Sequence, residues 1–266
     1  MIPLTLNSPS VTRQQLEDAS PELVARWFSA IRAEMRTSDG EKRWALEAPY
    51  TKHSSELSIL TQNVWGVPGL TSNSQLRFDA LGDFLKTSSF DVVALQEMWD
   101  ARTKQILERA NFPYVVTSPG FPGLTRRAGL AICSRHPIIN TYHLSFKNYG
   151  GVESAVRKGA LAARILLPNG TSKLIVNTHL VSPTEKLSYL LCSERRTAAI
   201  RIAQISELSA WLDEISTKGE EDRIVLGDFN APENTVEYQV MRNRLGVDLY
   251  RSRLPLGVKP SSFQPE

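Results

Sequence analysis

The chain has 266 residues, 41% of them hydrophobic and 22% charged, with a formal net charge of +3. That apolar content excludes a disordered chain, the absence of an internal repeat excludes collagen and coiled coil, and so small a basic excess does not mark a dedicated polyanion binder. Two cysteines, Cys133 and Cys192, form no disulfide framework and lack metal-ligand spacing, so both read as small buried apolar residues. No apolar run reaches the ~18–20 residues that span a bilayer. Met1-Ile2-Pro3-Leu4 is not the start of a secretory leader, so a cytoplasmic chain or one peripheral on membranes is expected.

In chain order, residues 1–50 read as an N-terminal helical arm. Ser20-Pro21 starts a helix with proline in its first turn, and Leu23, Val24, Trp27, Ala30, Ile31 and Met35 recur at helical spacing until Gly40. Trp27 and Trp44 read as anchors onto the main domain, with a membrane surface as the alternative. Residues 51–266 form the second unit, where short apolar runs alternate with helical stretches. Strands are predicted at Leu57–Gln62, Asp91–Gln96, Tyr114–Thr117, Leu130–Cys133, Ala160–Leu167, Lys173–Asn177 and Arg223–Leu226. Helices are predicted at Ser74–Lys86, Ala101–Arg109 and Glu185–Ile215, the last with a stripe of Ala198, Ile202, Ile205, Leu208 and Leu212. Several strands are apolar on both faces, which implies covered sheets and an α/β layered domain.

The chemistry gathers where strands end. Four apolar runs lead into Asn63, Gln96-Glu97, His179 and Asp228-Phe229-Asn230. Loops at strand ends are free to carry polar groups, and ligand sites collect there. Taken singly, each residue has an ordinary structural role: a turn, a surface pair, a core histidine, a loop cap. Together their chemistry is compatible with a metal and a phosphate. Carboxylate and amide oxygens suit Mg²⁺, which keeps several waters and often takes only one or two carboxylates plus substrate phosphate. Asp228 and Asn230 are two apart and share a side of an extended segment, so one can orient a water while the other holds a phosphate oxygen. A protonated His179 would donate to the phosphoryl transition state. His53, His136, His143 and His179 lack zinc-ligand spacing.

Thr61-Gln62-Asn63-Val64-Trp65-Gly66, Leu95-Gln96-Glu97, Thr178-His179-Leu180 and Gly227-Asp228-Phe229-Asn230 follow the order of the endonuclease/exonuclease/phosphatase superfamily. Within it the chain resembles the Mg²⁺-dependent neutral sphingomyelinases, through Asn63-Val64-Trp65-Gly66-Val67-Pro68, Gln96-Glu97-Met98-Trp99, Leu81 to Leu85, Gly129 to Ile138 and Arg196 to Leu212. The likeness covers roughly Leu57 to Tyr250. It implies a four-layer α/β sandwich, with two packed mixed sheets flanked by helices. It implies Glu97 as the principal Mg²⁺ ligand, with Asn63 near the metal and the substrate phosphate. By the same resemblance Asp228 and Asn230 orient water and hold phosphate, and His179 stabilises phosphoryl charge. Lys158 is placed at the phosphate, a solvated loop lysine being the ordinary alternative.

The superfamily's closing strands carry a Ser-Asp-His segment whose histidine serves as general base, and no Asp-His pair occurs here. The domain is therefore expected to be C-terminally incomplete, and these 266 residues alone weak or inactive, a general base contributing ~10²–10⁴ in rate. Phosphodiester hydrolysis, foremost of sphingomyelin to ceramide and phosphocholine, is the expected chemistry. The expected partners are a sphingolipid or other phosphodiester and a membrane surface, met by the apolar loops Val67–Leu70 and Phe121–Leu124. The alternatives are a nuclease, which the +3 charge disfavours, an inositol-phosphate phosphatase, and a non-catalytic binding module. Oligomeric state leaves no mark in the sequence.

Overall fold

The structure, a computed structural model, describes residues 57–69, 73–119, 128–149, 156–183, 194–216, 223–249 and 252. The N-terminal arm, the Phe121–Leu124 loop and Cys192 lie outside the described residues.

Strands β1 (Ile59–Asn63), β2 (Val92–Gln96), β3 (Tyr114–Thr117) and β4 (Ala131–Ser134) form one mixed sheet in the order β1-β2-β4-β3. Strands β5 (Ile138–Ser145), β6 (Gly159–Leu166), β7 (Ser172–His179) and β8 (Arg223–Asp228) form a second in the order β5-β6-β7-β8. Each sheet contains one parallel pair, β1 with β2 and β7 with β8, and its other pairs are antiparallel. Helices α1 (Ser74–Thr87) and α2 (Lys104–Ala110) cover the first sheet, while α3 (Glu194–Ile215) and α4 (Val236–Leu245) cover the second.

Three apolar layers follow from strand alternation. On β2, Val93 and Leu95 face α1 and α2 and meet Phe78, Leu81, Leu85 and Ile106. Val92 points the other way, into an inter-sheet layer with Leu130, Ile132, Leu161, Ala163, Ile165 and Ile175. On the far side Ala160, Ala162, Leu174 and Val176 meet Ile205, Leu208 and Leu212 of α3. Three buried interfaces between four layers make the four-layer α/β sandwich. Side chains such as Phe78 and Leu85, fully buried, stabilise it by about 1.5–3 kcal/mol each.

Several sequence expectations need correction. The predicted helix at Ala101–Arg109 is a 3₁₀ turn, Ala101–Thr103, running into α2. The expected stripe of α3 holds at Ile205, Leu208 and Leu212, but its first turns bury Thr197, Arg201 and Gln204 instead of Ala198 and Ile202. Arg201 is fully buried because Glu194 and Glu237 of α4 accept its Nη2 at 2.5 and 2.7 Å. Two elements, β5 and α4, have no counterpart in the sequence reading. β5 lies at a sheet edge and alternates half-buried with exposed residues. α4 is polar along most of its length and is capped at Thr235, whose hydroxyl accepts from the Tyr238 amide.

Candidate active site

Two strands from each sheet end at one rim of the sandwich, and there the chain turns through uncommon backbone. Trp65 follows β1 at φ 49°, Glu97 follows β2 at φ 59° and Asn230 follows β8 at φ 50°. Non-glycine residues in the left-handed region store strain, and such residues collect at functional sites. The turns are held by hydrogen bonds between neighbouring exits. The Val64 and Gly66 amides donate to the Gln96 and Glu97 carbonyls, and the Leu180 amide donates to the Asp228 carbonyl. Gly227 (φ 136°) presses its backbone onto β7, where a Cβ would fall 2.0 Å from the Thr178 oxygen. That contact seats Asp228 beside His179, its register partner.

The residues predicted for the site converge. Asn63 Nδ2 donates to Glu97 Oε1 at 2.8 Å and to Asp228 Oδ2 at 2.9 Å, bridging the two sheets. The Asn63 oxygen accepts from the Trp65 amide. In this arrangement its nitrogen, not its oxygen, faces the carboxylates. His179 Nε2 lies 3.9 Å from Glu97 Oε1 and 3.7 Å from Asp228 Oδ2. One ligand atom from each of Glu97, His179 and Asp228 lies within 4.8 Å of the others, the single such group of His, Cys, Asp or Glu among the described residues. The Asn230 amide donates to Asp228 Oδ1 at 3.1 Å, and its Nδ2 donates to the Leu180 carbonyl at 3.0 Å.

Lys158 differs from a solvated loop lysine. It is 4% exposed, and its Nζ lies 2.9 Å from His179 Nε2 and 2.8 Å from the Leu180 carbonyl. A lysine ammonium carries only N–H donors, so beside it Nε2 acts as acceptor and the ring proton is assigned to Nδ1. Lys158 is thus already a donor at Nε2, on the ring expected to donate to a phosphoryl group.

Other side chains complete the rim without having been singled out as site residues. Trp99 stacks on His179 with ring centroids 5.8 Å apart, its own ring lying over Gly129. The Trp99 signal was present in Gln96-Glu97-Met98-Trp99, but only proximity reveals its neighbour. Arg77 of α1 donates from Nη1 and Nη2 to the Val64 and Trp65 carbonyls and lies 5.3 Å over the Trp65 ring. Burial pushes this guanidinium below its usual pKa, opposed by the Glu97 charge. Of the proposed apolar loop, Val67 is half-buried and Pro68 and Gly69 are exposed, while Leu70 lies outside the described residues.

Two carboxylates, beside an imidazole and a bridging amide N–H, offer hard oxygen donors for a divalent cation. Comparison with known proteins agrees in kind. A putative neutral sphingomyelinase of Drosophila melanogaster is 28% identical over 222 residues, covering 79% of this chain and 45% of its own length. The chain thus spans less than half of that relative. In three dimensions, sphingomyelinase C from Streptomyces griseocarneus shares the fold at a TM-score of 0.60 and 23% identity, covering 71% of this chain and 69% of that one. The Staphylococcus aureus beta toxin F277A, P278A mutant, a structure with bound magnesium ions, matches at 0.61 and 22%, covering 73% and 71%. A model of the endonuclease/exonuclease/phosphatase family matches residues 60–265. With more than half of its length matched, the chain belongs to the endonuclease/exonuclease/phosphatase family.

Proposed function

We propose that the chain carries the phosphodiesterase centre of a Mg²⁺-dependent, sphingomyelinase-like hydrolase that splits sphingomyelin and water into ceramide and phosphocholine. The observation that carries this reading is the convergence of Glu97, His179 and Asp228 within 4.8 Å at facing strand ends. Glu97 and Asp228 would hold the ion, and Asn63, donating to both, orients their oxygens. When bound, such a cation polarises the phosphoryl group and offsets charge developing on the leaving oxygen.

Binding and orientation fall to the chain's own residues, while the base that takes the proton of the attacking water has no counterpart among them. Asp228 orients the attacking water, and Asn230, tied to the Asp228 carboxylate and to the Leu180 carbonyl, stands ready for a phosphate oxygen. Lys158 holds His179 in one tautomer and brings a positive charge to the rim instead of reaching the phosphate directly. The names of the Drosophila and Streptomyces relatives support a sphingolipid substrate, met at a membrane surface. Among the described residues no helix is long and apolar enough to cross a membrane.

The test is incubation with sphingomyelin vesicles, abasic duplex DNA and inositol phosphates, each with Mg²⁺ or a chelator, beside thermal melts across a Mg²⁺ titration. Mg²⁺-dependent stabilisation lost in Glu97→Gln supports the centre, and phosphocholine release, weak in these 266 residues alone and lost in the same variant, supports the substrate. Preferential cleavage of DNA or inositol phosphate would overturn the substrate, and no response to Mg²⁺ in any arm would overturn the centre.

A further inference from the structure

The donors of the site are split between the sheets. Asn63 and Glu97 leave the first, and His179 and Asp228 leave the second. Their spacing therefore depends on how the sheets sit face to face. Most of that interface is apolar, from Val92 and Ile132 to Leu161 and Ile175. Hydrophobic contact is non-directional and fixes a sliding interface loosely.

Beneath the rim, a buried pair of amides is directional. Gln96, 1% exposed, and Asn177, 0% exposed, point into the inter-sheet layer from β2 and β7. Gln96 Nε2 donates to Asn177 Oδ1 at 2.7 Å and to Thr61 Oγ1 at 3.1 Å. Asn177 Nδ2 crosses to the Leu95 and Ala131 carbonyls at 2.8 and 2.9 Å, on the last pair of the β2–β4 ladder. Both amide groups thus make hydrogen bonds from buried side chains, where a satisfied polar network selects one arrangement among near-equal packings. Gln96 precedes Glu97, and Asn177 lies two residues before His179.

We propose that the Gln96–Asn177 pair is an inter-sheet clamp, a set of positioning residues that touch neither metal nor substrate and fix the separation of the two half-sites. For its effect on the metal the proposal rests on the reading of the rim as a cation site, but the separation itself has an independent reporter. The Asn63 side-chain amide bridges Glu97 of one half to Asp228 of the other.

The decisive variant is the double substitution Gln96→Met with Asn177→Leu. It removes both side-chain amides at once, so neither is left buried and unpaired, while the Leu95 and Ala131 carbonyls lose their Asn177 donor and some stability is lost with it. Leu212→Val in α3 serves as a core control remote from the rim. Hydrogen exchange of the Asn63 side-chain amide, read by NMR without metal, should accelerate at least about tenfold in the double variant and not in the control. The Mg²⁺ midpoint of thermal stabilisation should rise ~10–100-fold, as for lost supports of metal ligands, with kcat falling more than KM shifts. If the double variant does not fold, Asn177→Leu alone, which removes the bonds to Gln96 and to the Leu95 and Ala131 carbonyls, carries the same readouts. Unchanged Asn63 exchange would overturn the clamp whatever the metal does. A wild-type chain that ignores Mg²⁺ would overturn the cation reading, and Asn63 exchange would still decide the clamp.

Discussion

The Nζ of Lys158 and the Nε2 of His179 lie 2.9 Å apart, both side chains nearly sealed from solvent. The pair fixes which imidazole nitrogen bears the proton. Lys158→Met should move the His179 ring from a single tautomer to a mixture, visible in imidazole ¹⁵N shifts. Any metal-dependent turnover should fall ~10–100-fold, the scale for lost residues that orient a metal site. A wild-type tautomer pattern in the variant would refute this coupling.

Glu97 and Asp228 share the two N–H groups of Asn63, so two carboxylates crowd one point. Like charges so close disfavour the metal-free fold. Glu97→Gln should therefore raise stability in chelator by about 0.5–2 kcal/mol, as at other sites where function is kept at the expense of stability, while abolishing stabilisation by Mg²⁺. Thermal melts with and without the ion check both signs.

Gly227→Ala puts a Cβ 2.0 Å from the Thr178 oxygen on backbone at φ 136°. Strain of about 1–3 kcal/mol is expected, with displacement of Asp228 added to it. Gly170→Ala, also at positive φ but with open space around the new carbon, should cost less. Urea midpoints of the two variants give the comparison, and equal losses would contradict the close approach to β7.

Asp100 anchors the turn after Glu97, its carboxylate taking the Arg102 backbone amide, Nε and Nη2. The Arg102 side chain holds this carboxyl below the usual carboxylate range, against the opposing effect of burial. A depressed native pKa contributes stability that is complete above the unfolded value of about 3.9 and is lost as pH falls through the native value. Asp100→Asn should flatten the acid limb of a stability-against-pH curve below about pH 4 and leave its slope near neutrality unchanged.

Period and punctuation made much of this fold legible. β3 matches its predicted bounds of Tyr114–Thr117, and β2, β4 and β6 are within one or two residues, because each is a short apolar run. β5 escaped because Asn140 and His143 interrupt its apolar residues at an exposed edge. α4 escaped because Val-Glu-Tyr-Gln-Val-Met-Arg-Asn-Arg-Leu shows no clean apolar stripe, although Thr235 and Gly246 mark its ends. At the rim, four strand ends named Asn63, Glu97, His179 and Asp228, which the fold brings together. Linear order could not show that Lys158, 21 residues before His179, is buried against it, since that depends on β6 lying inside its sheet.

The bond from Asn63 to Asp228 joins residues 165 apart in the chain. During synthesis Asn63 and Glu97 emerge long before the strand that brings Asp228, so the half-centre on the first sheet has nothing to close against. The two halves of the rim therefore stay apart in a nascent polypeptide until β8 docks beside β7.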